Sequence, residues 1–156
     1  MTDQTASMNT DSLPSRLGYR MPAEWSPHLA TWMAWPTSQE TWDRHLPEVR
    51  QRFVEMIRIL AAGETVKLLV DDRNTEEKVA RLLRENSVAD SQVRFYHLKT
   101  ADAWIRDYGP NYLVSDRRQP GRRAMNDWDF NAWGDKYREL IPDGEIPRRI
   151  AEIDGV

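Results

Sequence analysis

The stretch Trp104-Ile105-Arg106-Asp107-Tyr108-Gly109-Pro110-Asn111 sets a flat aromatic, a fixed cation and a carboxylate close together, then interrupts the backbone with Gly-Pro. A carboxylate accepts parallel N–H bonds from a planar guanidinium, and an indole face offers the same cation a cation–π surface. Trp104 and Asp107 are therefore the residue types that a guanidinium site needs. Arg106 beside Asp107 would favour the ionised carboxylate and orient it, or equally would simply tie the loop down. Gly109-Pro110 would fix the turn that aims Asp107. The same octapeptide also suits a plainer arrangement, an Arg–Asp surface pair at a turn with Trp104 buried behind it, and on its own it leaves both open.

Two more segments share the character of the first. One is Gly18-Tyr19-Arg20-Met21-Pro22-Ala23-Glu24-Trp25, followed by Pro27-His28 and by Ala30-Thr31-Trp32-Met33-Ala34-Trp35-Pro36. The other is Asp127-Trp128-Asp129-Phe130-Asn131-Ala132-Trp133-Gly134, with Lys136-Tyr137 just beyond. Together with Thr100-x-Asp102-x-Trp104-x-Arg106-Asp107-x-Gly109-Pro110, they make the chain from residue 18 onward resemble the agmatine deiminase and bacterial peptidyl-arginine deiminase family. Three motifs in the right order are far more specific than any one of them.

The resemblance implies an α/β fold, a five-bladed propeller (pentein) of ββαβ units with its active site on the pseudo-fivefold axis. About two blades would fall within this chain. It implies hydrolysis of agmatine to N-carbamoylputrescine and ammonia, on the route to putrescine; no cofactor is expected, and zero cysteine fits a cytoplasmic protein. Asp107 becomes the catalytic carboxylate that grips the guanidinium, and Trp104 a wall of the same pocket. Glu24 and Trp25 follow Pro22 in an irregular segment that suits a substrate-facing loop, or equally an N-terminal arm packed by Trp25. Asn131, Trp133 and Gly134 suit a second loop at the pocket mouth, with Trp133 touching substrate and Asn131, Arg106 and Gly109 supporting from behind. Asp135 stands where family members commonly carry a second glycine, which bears on the backbone conformation there. Asp102 is read as a cap for the following turn.

Deimination needs more than a grip. The guanidinium carbon is a poor electrophile, so a thiolate must attack it while a histidine protonates the departing ammonia and then activates water. The chain has no cysteine, and His28, His45 and His97 all precede Asp107. The resemblance thus covers the N-terminal part of a longer enzyme, and the 156 residues alone are expected to be inactive. Three other readings remain: a deiminase of peptidyl arginine within the same family, a non-catalytic guanidinium-binding module, and an aromatic-rich carbohydrate-binding or interaction domain suggested only by seven tryptophans.

Composition is that of a soluble globular domain. A formal charge of -3 gives no reason to expect nucleic acid or an anionic membrane as partner. The basic pairs Arg117-Arg118, Arg122-Arg123 and Arg148-Arg149 are separated by acidic or neutral stretches and read as solvated surface. No apolar run approaches the length of a bilayer span. Residues 1–17 read as a disordered polar lead-in without an apolar h-region, and 18–156 as the N-terminal part of a deiminase catalytic domain. Zero cysteine excludes disulfides, and no His/Asp/Glu cluster has metal-ligand spacing, so no metal is expected.

The elements that must position these motifs alternate. Leu29–Trp35 reads as a buried strand, and Leu46–Ala62 as a helix with Val49, Phe53, Met56, Ile57 and Leu60 on one face. Thr65–Val70 is a second strand. Asn74–Asn86 is a second helix, with a capping box from Asn74 to Glu77 and a stripe of Val79, Leu82 and Leu83. Gln92–Leu98, Asn111–Ser115 and Arg123–Phe130 read as strands, and Asp143–Ile153 as a helix starting near Pro147. The order argues a mixed α/β architecture. A propeller cut open would leave strand edges and aromatic faces uncovered, so self-association or dependence on a missing C-terminal portion is expected.

Overall fold

The strand–helix–strand–helix–strand run folds as a parallel sheet, because each helix is long enough to return the chain to the same end. The computed structural model describes residues 13–115 and 122–156. Strands β2 (Ala30–Ala34), β3 (Thr65–Val70) and β4 (Val93–His97) pair in that order, Ala30 opposite Thr65 and Val66 opposite Val93. Helices α2 (Leu46–Leu60) and α3 (Arg73–Glu85) form the two crossovers, and the short helix α1 (Gln39–Trp42) precedes α2. A second, antiparallel sheet joins β1 (Tyr19–Arg20), β5 (Asn111–Ser115) and β6 (Arg122–Asn126) in the order β1-β5-β6.

The parallel sheet is covered on both faces. Met33, Leu68, Val70 and Val93 pack against Val54 and Ile57 of α2 and Val79 and Leu83 of α3. On the other face Ala34 and Leu69 meet Tyr108, Ile146 and Ile150. Strand β3 lies at the centre, which accounts for its near-continuous apolar run. Strand β4 likewise divides its side chains, Phe95 to the first core and Tyr96 to the second.

Several expectations need correction. The buried face of α2 is Leu46, Val54 and Ile57, whereas Met56 is 42% exposed. Position 56 is rotated about 100° from position 57, enough to turn it out of a narrow stripe. Helix α3 starts earlier than expected: Asp72 is its N-cap, accepting from the Thr75 amide at 2.7 Å, while Glu77 pairs with Arg73 instead of closing a box with Asn74. Strand β6 ends at Asn126, well before Phe130. Of the expected lead-in, residues 1–12 lie outside the described residues. Residues 13–17 form a hydrogen-bonded turn, in which the Arg16 amide donates to Leu13, that delivers Tyr19 to β1. The C-terminal helix α6 (Ile146–Asp154) begins one residue before Pro147, a position that tolerates proline because it has no intrahelical N–H partner.

Candidate functional site

Asp107 lies on α4 (Ile105–Tyr108), a single turn too short to hold itself together. Tertiary bonds hold it. Tyr108 is buried, and its hydroxyl donates to the Asp102 carbonyl at 2.9 Å. The buried Asp143 carboxylate accepts from the Ala101 amide at 2.5 Å and the Asp102 amide at 3.1 Å, fixing the loop that enters α4. Asp102 accepts from the Trp42 indole N–H and the Ala103 amide, both at 2.8 Å. Burial pushes the Asp143 carboxyl up to about 6 despite its two amide donors, and the neighbouring Asp102 adds to the rise. Burial likewise raises the Tyr108 phenol. Asp102 thus does more than cap a turn, and Asp143 was missed entirely; its partners lie about forty positions away, with no local pattern to reveal them.

Gly109 ends α4 with an ordinary extended backbone, φ -70° and ψ 170°. The need for glycine is steric, not conformational: a Cβ there would stand 2.2 Å from the Ile105 carbonyl oxygen.

Asp107 is exposed and lines a groove of about 840 Å³ between the N-terminal segment and α4, shared with Glu24, His28, Trp32, Tyr112 and Trp128. No hydrogen bond or ion pair from another described residue engages its carboxylate. Arg106 does not pair with Asp107 as expected. Adjacent residues on a helical turn diverge, and the Arg106 guanidinium reaches back to Glu24. Both partners of that pair are largely exposed, so it adds little to stability. His28 donates to the Glu24 carbonyl at 2.8 Å, and its Nδ1 lies 3.4 Å from Glu64.

The other predicted site residues are placed elsewhere. Trp104 stacks on Trp42 at 5.2 Å between ring centroids and meets the edge of Trp133 at 6.2 Å, and neither Trp104 nor Trp133 is among the groove-lining residues. Trp25 is 90% exposed and also outside the lining. Asn131 accepts from the Gly134 amide at 2.9 Å and so organises its own loop. In that loop Ala132, Trp133, Gly134 and Asp135 all have positive φ, Asp135 at 61°. The backbone keeps a glycine-like conformation where this chain carries Asp135, and aspartate tolerates it better than most residues do. Of the groove walls, Trp32 and Trp128 belong to the tryptophan-bearing motifs of the sequence, whereas Tyr112 carries no such mark. Strand alternation marks Trp32 and Tyr112 as facing one side, but nothing local says that the side is a groove.

A second cavity of about 350 Å³, between α3 and β4, shares no residue with the groove. Its charged residues already have partners within the chain, Arg84 in an ion pair with Asp90 and Glu76 in a hydrogen bond with His97. Among the described residues no helix is long and apolar enough to cross a membrane.

The scaffold is mixed α/β, and the Asp107 carboxylate, without a partner among the described residues, lies in a groove lined by Trp32, Tyr112 and Trp128. Residues 20–156 match the Porphyromonas-type peptidyl-arginine deiminase family, and the chain belongs to it. The agmatine deiminase of Stutzerimonas stutzeri (strain A1501) is 34% identical over 92% of this chain and 38% of its own length. That of Pseudomonas aeruginosa (strain LESB58) is 33% identical over 94% of this chain and 38% of its own. The solved agmatine deiminase of Enterococcus faecalis superposes with a TM-score of 0.80 at 27% identity, over 94% of this chain and 39% of that one. An agmatine deiminase of C. jejuni, a Cys-to-Ser variant with substrate bound, superposes with a TM-score of 0.69 at 25% identity over 86% of this chain and 36% of its own. The chain therefore spans a little over a third of the length of the relatives it matches.

Proposed function

We propose that these residues form the guanidinium-gripping part of an agmatine deiminase-like hydrolase, with the thiol nucleophile and its histidine supplied by protein outside the 156 residues. The observation that carries this reading is the Asp107 carboxylate, free of any partner among the described residues and set in a groove with aromatic and apolar walls. Asp107 holds the guanidinium planar and charged. Gly109 and the bonds among Asp102, Tyr108 and Asp143 keep α4 in register. Glu24, paired among the described residues with the exposed Arg106, would attract the second positive charge of a dication such as agmatine. The Trp104–Trp133 cluster backs α4, and Asn131 shapes the loop that carries Trp133. On this reading the complete protein is a pentein propeller that acts in the cytoplasm, needs no cofactor, and has residues 18–156 as the N-terminal part of its catalytic domain. A second reading, action on peptidyl arginine, is favoured by the name of the matching family.

Calorimetric titration of the chain tests the proposal. Agmatine should bind saturably, and putrescine, which lacks the guanidinium, more weakly. Asp107→Asn should weaken agmatine at least tenfold, about 1.4 kcal/mol, without changing the melting temperature. Equal affinities for the variant and the parent chain would assign Asp107 to the scaffold. An arginine-containing peptide that binds more tightly than agmatine would favour the second reading.

A further inference from the structure

Asp154 ends α6 and takes no part in the grip described above, yet its side chain is only 6% exposed and surrounded by donors. One oxygen accepts from the Lys67 ammonium of β3. The other, Oδ2, accepts from the Tyr112 hydroxyl at 2.5 Å and from the Trp32 indole N–H at 3.3 Å. The backbone carbonyl of Asp154 accepts from the Arg123 guanidinium of β6 at 3.0 Å. Burial alone would push the carboxyl up, but the donors from Lys67, Tyr112 and Trp32 outweigh it and hold it below the ordinary carboxylate range.

Two of these donors have a second allegiance. Trp32 and Tyr112 both line the groove that holds Asp107. They come from different sheets, Trp32 from parallel β2 and Tyr112 from antiparallel β5, and no β-ladder links those two strands. A single carboxylate oxygen is the point at which their polar tips converge. Lys67 also lies 4.8 Å from the centroid of the Trp32 ring, so its charge both balances Asp154 and restrains the indole plane. An aromatic wall whose tip is tied this way cannot tilt freely.

We propose that Asp154 is a positioning residue of the groove, fixing the separation and tilt of the Trp32 and Tyr112 walls against which the alkyl part of a guanidino ligand lies. The ligand part of this inference rests on the proposed function; the wall-positioning part does not.

The test compares the chain with Asp154→Asn, Asp154→Glu, Tyr112→Phe and, as a stability control, Val54→Ala in the core beneath α2. Two quantities are read: agmatine affinity by calorimetry, and solvent exchange of the Trp32 indole N–H by nuclear magnetic resonance. Asparagine offers one acceptor oxygen where aspartate offers two, so it cannot serve Lys67 and both aromatic donors together. Asp154→Asn should release the indole N–H to exchange and weaken agmatine by roughly tenfold, within the range that misplacing a ligand-contacting group costs. Asp154→Glu should recover part of both, and Tyr112→Phe, which deletes one donor and keeps the ring, should show a smaller loss with the fold intact. Val54→Ala should lower the melting temperature and leave affinity and indole exchange unchanged. Unaltered affinity in Asp154→Asn, or an equal loss in Val54→Ala, would overturn the proposal. If the parent chain takes up no agmatine, the functional reading fails, and indole exchange alone decides: protection lost in Asp154→Asn supports wall positioning and protection retained overturns it.

Discussion

Substituting Gly109 by alanine sets two effects of opposite sign against each other. The backbone there, φ -70° and ψ 170°, is one that alanine adopts without strain. At such a position glycine-to-alanine stabilises by about 0.4–1 kcal/mol, through the reduced freedom of the unfolded chain. The folded state opposes it: the new Cβ would lie 2.2 Å from the Ile105 carbonyl oxygen and 3.0 Å from its Cγ1. The oxygen belongs to the backbone, so no side-chain rotation relieves the contact. That same oxygen accepts the Gly109 amide at 2.8 Å, the bond that closes α4. Overpacking of this kind costs about 1–3 kcal/mol, and loss of the closing bond about 1 more. The clash wins, for a net destabilisation of about 1–3 kcal/mol. At about 2–4 °C per kcal/mol for a chain of this size, melting should fall by roughly 2–12 °C. Circular-dichroism melts measure the fall, and agmatine titration should show weakened binding, because Asp107 lies two residues before the displaced position. A Gly109→Ala chain melting at or above the parent temperature would refute the steric argument.

Two further outcomes follow from the same structure. The Asp143 carboxyl is raised to about 6, so the folded chain holds that proton more tightly than the unfolded chain does. Its contribution is complete below the ordinary carboxylate value of about 4 and is lost as pH rises through about 6. Asp143→Asn should therefore cost more stability near pH 5 than near pH 8 in chemical denaturation, and a cost that grows with pH would contradict the sign. Trp25, Leu29 and Trp128 are largely exposed, and large apolar side chains left at the surface favour association. Sedimentation over a concentration series should show self-association that is diminished by Trp25→Ser and Leu29→Ser together; a concentration-independent monomer would contradict it.

The sequence by itself determined the alternating elements, because periodicity and terminators are local. The strand Thr65–Val70 and the helix from Leu46 were legible from their apolar pattern. The same locality singled out Asp107, since a carboxylate, an indole and a Gly-Pro break occupy one short run. What a side chain touches across the fold was decided only in three dimensions. Arg106 turns from Asp107 to Glu24, a residue 82 positions earlier, because neighbours on one helical turn point apart. Trp104 leaves the groove for a stack on Trp42, and Trp32 and Tyr112 become its walls. Asp143 and Asp154 carry no motif at all. Each is a buried carboxylate that must find donors, and those donors come from strands and loops that are adjacent only once the two sheets have packed together.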